Sequence, residues 1–473
     1  MKAPRVLLVN VGRQTEMYNS VSPPLGVLYL AAQARQAVGA EVRVVDQRGY
    51  DFTPAEVVRQ TVEFAPDVVG MRCLTADESH LRDLAEGVRA ALPKVLLVAG
   101  GPHASSHADG LIRQSPIDAV VRGEGEISFE MILRAHIEGG GFAHIPGLIW
   151  RDSSGEIIEN EGVSPIVEDL DTLPMPAYDL LDPQLYWRSK NMSVLLRRKY
   201  LSLFTSRGCP YHCTYCHSIF GKRFRAHSPA RIVEEITLLN RNHGVLDFDI
   251  LDDCFNFDRK RVLEFSEAVQ RTGLKTKFVF PNALRTDILT QEVVDALADA
   301  GTYMSAFALE SGSPRIQKMV GKHLNIDRYL AGVEMAAKRG IFSSGFSMLG
   351  FPGESVEEMH MTIDVACRSM LHVMSFFVVI PFPGTALYRE VLEKDPAKLD
   401  SVVYQGGDYM FSLGANLSQV SDEQLLSLVR EANRRFYLNP RRLFRLLSDH
   451  PSPWQLFHYV PKMLFLFNKR QMR

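Results

Sequence analysis

Two successive runs of short apolar strands alternating with amphipathic helices predict an α/β chain: a doubly wound parallel sheet, then a partial (β/α)6 barrel, then a helical tail. Three observations carry this. The strand runs, such as Val6 to Asn10 and Val68 to Arg72, are apolar on both faces, as in sheets covered by helices on each side. Glycine-rich and charged turns recur at the carboxyl ends of those runs, where ligands of such sheets bind. With 473 residues the chain exceeds what a single core usually organises.

Composition narrows the function classes. Apolar residues make up 46% and charged residues 23%, ordinary for a folded globular chain, and a net charge of −2 gives no support to nucleic acid as a partner. No uninterrupted apolar run approaches the roughly 18 residues of a spanning helix. The N-terminus passes straight into a strand without a signal peptide's apolar region, so a cytoplasmic protein is expected.

In the first 150 residues, strands are predicted at Val6–Asn10, Glu41–Asp46, Val68–Arg72, Val95–Ala99 and Ala119–Arg122. Helices are predicted at Pro24–Ala37, Pro54–Phe64, Ser79–Leu92 and Ser105–Gln114. The strand ends carry Asn10 to Gly12, Gly100-Gly101-Pro102-His103 and Gly123-Glu124-Gly125-Glu126. Glycine there lets backbone approach a bulky ligand, and it also serves ordinary tight turns. None has G-x-G-x-x-G or Walker spacing. Residues 151–195 hold a hairpin signal at Asp152 to Gly155 and the proline-rich Leu173 to Tyr178, and read as a connector.

Alternation resumes over 196–395. Strands are expected at Leu201–Thr205, Asp247–Leu251, Lys277–Phe280, Met304–Leu309, Ser344–Met348 and Val373–Ile380, with helices between them. Just after the first of these lie Cys209, Cys213 and Cys216, spaced C-x3-C-x2-C. Three thiolates in one short loop suit an iron–sulfur cluster, leaving one iron of a four-iron cluster without a protein ligand. With His212 and His217 in or beside the loop, zinc is the alternative, although structural zinc usually takes its ligands as two separated pairs. Cys73, Cys254 and Cys367 lie far apart and form no second motif.

The cysteine spacing, with Tyr215 directly before the last thiol, resembles the signature of the radical S-adenosylmethionine (SAM) superfamily. That resemblance implies a [4Fe–4S] cluster on Cys209, Cys213 and Cys216, SAM chelated to the open iron, and a 5′-deoxyadenosyl radical made with an electron from an external donor. It implies SAM contacts for Tyr215, Asp253, Arg285 and Glu310, the last in a Glu310-Ser311-Gly312-Ser313 phrase. Gly350 to Glu354 and Pro381 to Thr385 are further phrases of the family. The N-terminal pieces, Pro23 to Ala32, Asp67 to Gly70, Gly100 to His103, Gly123 to Glu126 and Ile145 to Leu148, resemble the B12-binding domain that precedes the radical SAM domain in one subfamily. Cobalamin is then implied at Gly100, Gly101, Gly123 and Glu124. The D-x-H-x-x-G motif that supplies a cobalt-ligating histidine elsewhere is missing after the first strand; His103 is a candidate ligand or a local cap.

The leading expectation is methylation of an unactivated carbon, or of phosphorus, in a small-molecule or lipid-like substrate. The alternatives are a radical oxidative cyclase or rearrangement enzyme, which the stretch through Ile219 to Lys222 resembles, and a non-catalytic cobalamin or iron–sulfur sensor. A transfer-RNA methylthiotransferase would need further cluster cysteines in the first domain, where only Cys73 stands. Lys222 to Arg225 could hold an anion or face solvent. The tail, 396–473, mixes arginines and lysines with aromatic residues from Arg434 onward, which suits either peripheral contact with an anionic membrane or packing on the barrel.

Overall fold

The computed structural model describes residues 3–15, 20–189, 198–400, 402, 404 and 413–458. It divides into two compact units: Met1–Lys190 with Ser218–Ala226 and Tyr404–Gly407, and the remainder. Tyr459 to Arg473, with Lys462, Lys469, Arg470 and Arg473 of the basic tail, lie outside the described residues.

In the first unit, strands β1 (Arg5–Asn10), β2 (Glu41–Asp46), β3 (Val68–Arg72), β4 (Leu96–Gly100) and β5 (Ala119–Val120) run parallel in the order β2-β1-β3-β4-β5. Helices α1 (Leu25–Val38), α2 (Pro54–Phe64), α3 (Glu78–Ala91), α4 (Gly101–Gln114) and α5 (Glu126–Glu138) cover both faces. Side chains alternate along β1. Leu7 and Val9 join one core with Val57, Leu84 and Leu111, while Val6 and Leu8 join the other with Val27, Ala31 and Ile132. This is why the strand reads as continuously apolar. The order reverses at β1 and β3, which puts the ligand crevice of this sheet type at their carboxyl ends. The hairpin expected in the connector forms β6 (Ile149–Arg151) and β7 (Ile157–Glu159), which add antiparallel to the edge of this sheet.

The second unit is a sheet of six parallel strands in chain order: β8 (Tyr200–Leu203), β9 (Asp247–Ile250), β10 (Lys277–Leu284), β11 (Thr302–Glu310), β12 (Phe342–Leu349) and β13 (Val373–Val378). Helices α6 (Pro229–His243), α7 (Arg259–Arg271), α8 (Gln291–Asp299), α9 (Ile326–Lys338) and α10 (Val356–Arg368) connect them. Each starts on a capping side chain, from Ser228, Asp258, Thr290, Asn325 and Ser355 in turn, accepting a backbone N–H of the first turn. Sequential parallel strands put all six carboxyl ends on one rim, as in a barrel with one segment left open.

The helical tail docks on the barrel. Helix α11 (Asp422–Tyr437) sets the Tyr437 hydroxyl to donate to the Met374 carbonyl at 2.8 Å and accept its N–H at 3.0 Å. In α12 (Pro440–Asp449), Arg442 is buried and donates to the carbonyls of Leu371, Cys367 and Ser369 at and beyond the end of α10. Leu446 and Leu456 pack against Val279, Met304 and Phe342. Part of the basic tail is therefore structural, since Arg442 satisfies carbonyls at and just past a helix end. Arg442→Ala is expected to cost about 2–4 kcal/mol in urea unfolding, because it leaves buried carbonyls unpaired; an unchanged midpoint would contradict this docking.

Candidate functional site

The three motif cysteines sit on the loop that leaves β8, at the carboxyl rim of the barrel, with Cys209 and Cys213 half-buried and Cys216 exposed. Other loops fix the backbone of this segment. Thr214 donates its N–H to the Val320 carbonyl at 2.9 Å and accepts the N–H of Leu387 at 2.8 Å. Gly321 has a left-handed φ of 68°, and a Cβ there would stand 2.7 Å from the His212 carbonyl oxygen. Only glycine allows so close an approach in that conformation. The entrance of the loop is fixed by buried Asp252, which accepts from the Thr205 N–H at 2.7 Å, the Thr205 hydroxyl at 2.5 Å and the Ser206 hydroxyl at 2.6 Å. Burial pushes the Asp252 carboxyl above its ordinary range.

Around the cysteines the rim carries both charges and rings. The Tyr215 ring lies 5.9 Å from that of Phe351, and its phenol is pushed well up by burial and by neighbouring Glu310. Glu310, ending β11 with a left-handed φ of 62°, pairs with Lys322 at 3.0 Å. A non-glycine residue held there costs on the order of 1–3 kcal/mol. Burial pushes the Cys213 thiol up, with Lys322 acting in the opposite direction. Asp253 lies at another flank, 3.8 Å from His217. Arg285 stands 3.7 Å above the Tyr211 ring, pairs with Asp287 at 2.8 Å and donates to the Lys322 carbonyl at 2.9 Å. Its Nε and Nη2 are thus engaged by Asp287 and the Lys322 carbonyl. Lys322, absent from the expected set, is the cation beside Glu310; its position depends on the turn after β11 and has no signature in spacing.

Two other residues gained places that sequence did not give them. Cys254 is buried with its thiol hydrogen-bonded to Cys209. Glu354, in the Gly350 to Glu354 phrase, is fully buried and accepts the N–H groups of Gly350 and Phe351 at 2.7 and 3.0 Å. Burial pushes its carboxyl up to about 7. It shapes the turn that holds Phe351 beside Tyr215.

In the first unit, Gly100 ends β4 and Gly101 begins α4 with φ 88°, where a Cβ would meet Arg72 at 2.6 Å. Gly123, at φ 70°, donates its N–H to the Ser105 hydroxyl at 2.9 Å. Glu124 is buried in an ion pair with Arg225, and Arg225 also donates to the carbonyls of Val167 and Phe220. The basic stretch after the cluster loop is therefore an anchor, with Arg223 paired to Glu168 at 2.5 Å. His103 is buried and stacked on His107 at 5.3 Å, with Nδ1 unpartnered; burial lowers it to about 4, so it is neutral near pH 7.

The donor sets fit the implied groups. Three thiols on one clasped loop match a cuboid cluster, whose cysteines bind different irons. The glycine turns at the carboxyl ends of β4 and β5, with the orphaned Nδ1 of His103, form a rim suited to a large polar ligand.

Residues 16–133 match the B12 binding domain and residues 203–366 the radical SAM superfamily. An uncharacterized methyltransferase of Pyrococcus horikoshii is 30% identical over 95% of this chain and 96% of its own length. Cytidylyl-2-hydroxyethylphosphonate methyltransferase of Streptomyces wedmorensis is 28% identical, covering 89% and 86%. An anaerobic magnesium-protoporphyrin IX monomethyl ester cyclase of Rubrivivax gelatinosus is 25% identical, covering 88% and 74%. Of solved structures, the cobalamin-dependent SAM radical enzyme OxsB aligns with a TM-score of 0.76 at 16% identity, covering 98% of this chain and 72% of its own. The methyltransferase TsrM of Kitasatospora setae aligns at 0.70 with 20% identity, covering 83% and 76%. These two alignments establish a shared fold.

Cys254→Ser is expected to leave iron content unchanged at about four per chain after reconstitution, whereas Cys209→Ser loses the cluster, because only the loop thiols ligate. Loss of iron in Cys254→Ser would make it a ligand. Gly321→Ala is expected to lower iron uptake while the far-ultraviolet circular dichroism is retained, and full loading would contradict the clasp.

Proposed function

This chain belongs to the radical SAM enzymes that carry an N-terminal B12-binding domain, and from that membership we propose a specific division of labour among its residues. It is an enzyme of the cobalamin-dependent methyltransferase kind, with a [4Fe–4S] cluster, SAM and cobalamin as cofactors and a small molecule as substrate. When bound, these groups supply hydrogen abstraction from an unactivated carbon and delivery of a methyl group.

In this reading Cys209, Cys213 and Cys216 hold the cluster, and the bonds at Thr214 keep them in place. Glu310 and Lys322 lie side by side with opposite charge. That pairing suits the zwitterionic amino-acid end of SAM, whose ammonium a carboxylate accepts and whose carboxylate an ammonium group meets. Tyr215 and Phe351 offer apolar surface beside it. Arg285, stacked on Tyr211, positions the loop and does not touch the ligand. Gly100, Gly101 and Gly123 form the strand-end turns on which cobalamin would lie, while Glu124 orders the same rim through Arg225. The observation that carries the reading is the clasped three-thiol loop on the rim of a six-strand parallel sheet.

The finer substrate class we favour is a lipid-like or membrane-presented molecule. A second reading, oxidative cyclisation, rests on the cyclase relative spanning most of the chain.

The test is anaerobic turnover with SAM, reductant and candidate substrates. S-adenosylhomocysteine together with 5′-deoxyadenosine, and a product heavier by one methylene, is expected. 5′-Deoxyadenosine alone, with a product that has lost hydrogen or gained oxygen, would replace methyl transfer by the cyclase reading. Alanine at Glu310 is expected to raise the SAM concentration needed for half-maximal cleavage by about tenfold or more, the scale of one charge-assisted contact; an unchanged value would remove Glu310 from the SAM site.

A further inference from the structure

The outer face of the docked tail is unusually apolar for a surface. Of the exposed large hydrophobic residues, Leu438, Leu443, Phe444, Leu447, Trp454 and Phe457 fall within one short stretch, and Phe444, Trp454 and Phe457 are 72%, 80% and 69% exposed. Their arrangement follows from helical spacing. In α12 the inward positions are Arg442 and Leu446, so Leu443, Phe444 and Leu447 share the outward face. In the turn that follows, Leu456 packs inward, while the Trp454 and Phe457 rings stack on each other at 6.4 Å. The inward half of the segment is anchored, so these side chains are held outward by a docked scaffold.

Beside this face, where α11 meets α12, a groove of about 950 Å³ is lined by Arg430, Glu431, Arg434, Arg435, Leu438 and Arg441. Arg435 is offset by Asp364 and Glu431, whereas the guanidinium groups of Arg434 and Arg441 have no ion-pair partner among the described residues. Arg441 lies one helical turn before Phe444, so the cationic groove and the apolar face adjoin.

We propose that this face docks on an anionic lipid bilayer, with Phe444, Leu447, Trp454 and Phe457 entering the headgroup boundary and Arg434 and Arg441 meeting lipid phosphates. Charge decides among the occupants. A second copy would bring cationic groove against cationic groove, and Tyr459 to Arg473 bring Lys462, Lys469, Arg470 and Arg473 with no acidic residue. An anionic surface complements both the groove and those residues. Peripheral binding commonly needs apolar insertion and a polybasic patch together, and this face supplies both. The inference goes beyond methyl transfer and stands independently of it, because lipid docking requires no cofactor.

The full chain would be floated with phosphatidylcholine vesicles and with vesicles that also contain phosphatidylglycerol. Binding to the anionic vesicles at least about tenfold tighter than to neutral ones, weakened by salt, is expected, with a blue shift of tryptophan emission that Trp454→Phe removes. Phe444→Ser with Phe457→Ser, and separately Arg434→Gln with Arg441→Gln, should each reduce that binding by about tenfold or more while circular dichroism stays unchanged. Equal binding to neutral vesicles, or binding untouched by both pairs, would overturn the proposal. So would light scattering that shows a dimer dissolved by the serine pair, which would make a second copy the occupant. Turnover is not read in this experiment, so its failure leaves the methyl-transfer reading intact.

Discussion

Thr214 is tied through both of its peptide groups, to Val320 on one side and Leu387 on the other, and the placement of the three cysteines depends on those two bonds. A free loop of this length would lose about 1–2 kcal/mol per residue in ordering around a cluster. Here the ordering is done by the barrel, because Val320 caps the end of the short helix that follows β11 and Leu387 lies in the first turn of the helix that follows β13. The cluster loop is therefore organised only once distant strands have paired. Gly321 is the steric condition for this arrangement, since any side chain there would push the His212 carbonyl away.

Paired charges divide into two uses. Glu124 with Arg225, and Arg285 with Asp287, are anchors: each arginine also binds backbone carbonyls, so its charge is consumed in fixing a loop. Breaking the buried Glu124–Arg225 pair would leave an uncompensated buried charge, which is far costlier than losing an exposed one. Glu310 and Lys322 differ, because they adjoin Cys213 and Tyr215 and Glu310 stands in a strained backbone conformation. Strain of that kind, held beside the motif cysteines, is expected of a ligand-facing group.

Much of the fold was legible because strands buried on both faces and capped helices leave local marks. β2, β3 and α2 have the bounds that periodicity and caps predict. β10 and β11 run longer than their apolar cores, since Leu284, beyond a register shift, pairs with Phe307 and Glu310 pairs with Ser347, contacts that only neighbouring strands can specify. The three cysteines were legible from spacing alone. Lys322 and Cys254 were not, because the turns that bring them to the loop are tertiary. Arg285 and Glu124 had the right chemistry for ligand contact, but each is already paired: Arg285 with half-buried Asp287 two residues on, and Glu124 with buried Arg225 far along the chain, a contact that sequence separation hides. The basic tail divides the same way: Arg442 faces the barrel and Phe444, two residues on, faces out.

The central claim is that the loop thiols hold a four-iron cluster with one iron left for SAM. Electron paramagnetic resonance of the reduced, anaerobically reconstituted chain, recorded without and with SAM, tests it most directly. The account predicts a four-iron signal whose g-values and line shape change when SAM is added, because an iron without a thiolate gains a ligand. A signal that SAM leaves unchanged, from protein that binds SAM by equilibrium dialysis, would mean that SAM does not reach the cluster and would contradict the account.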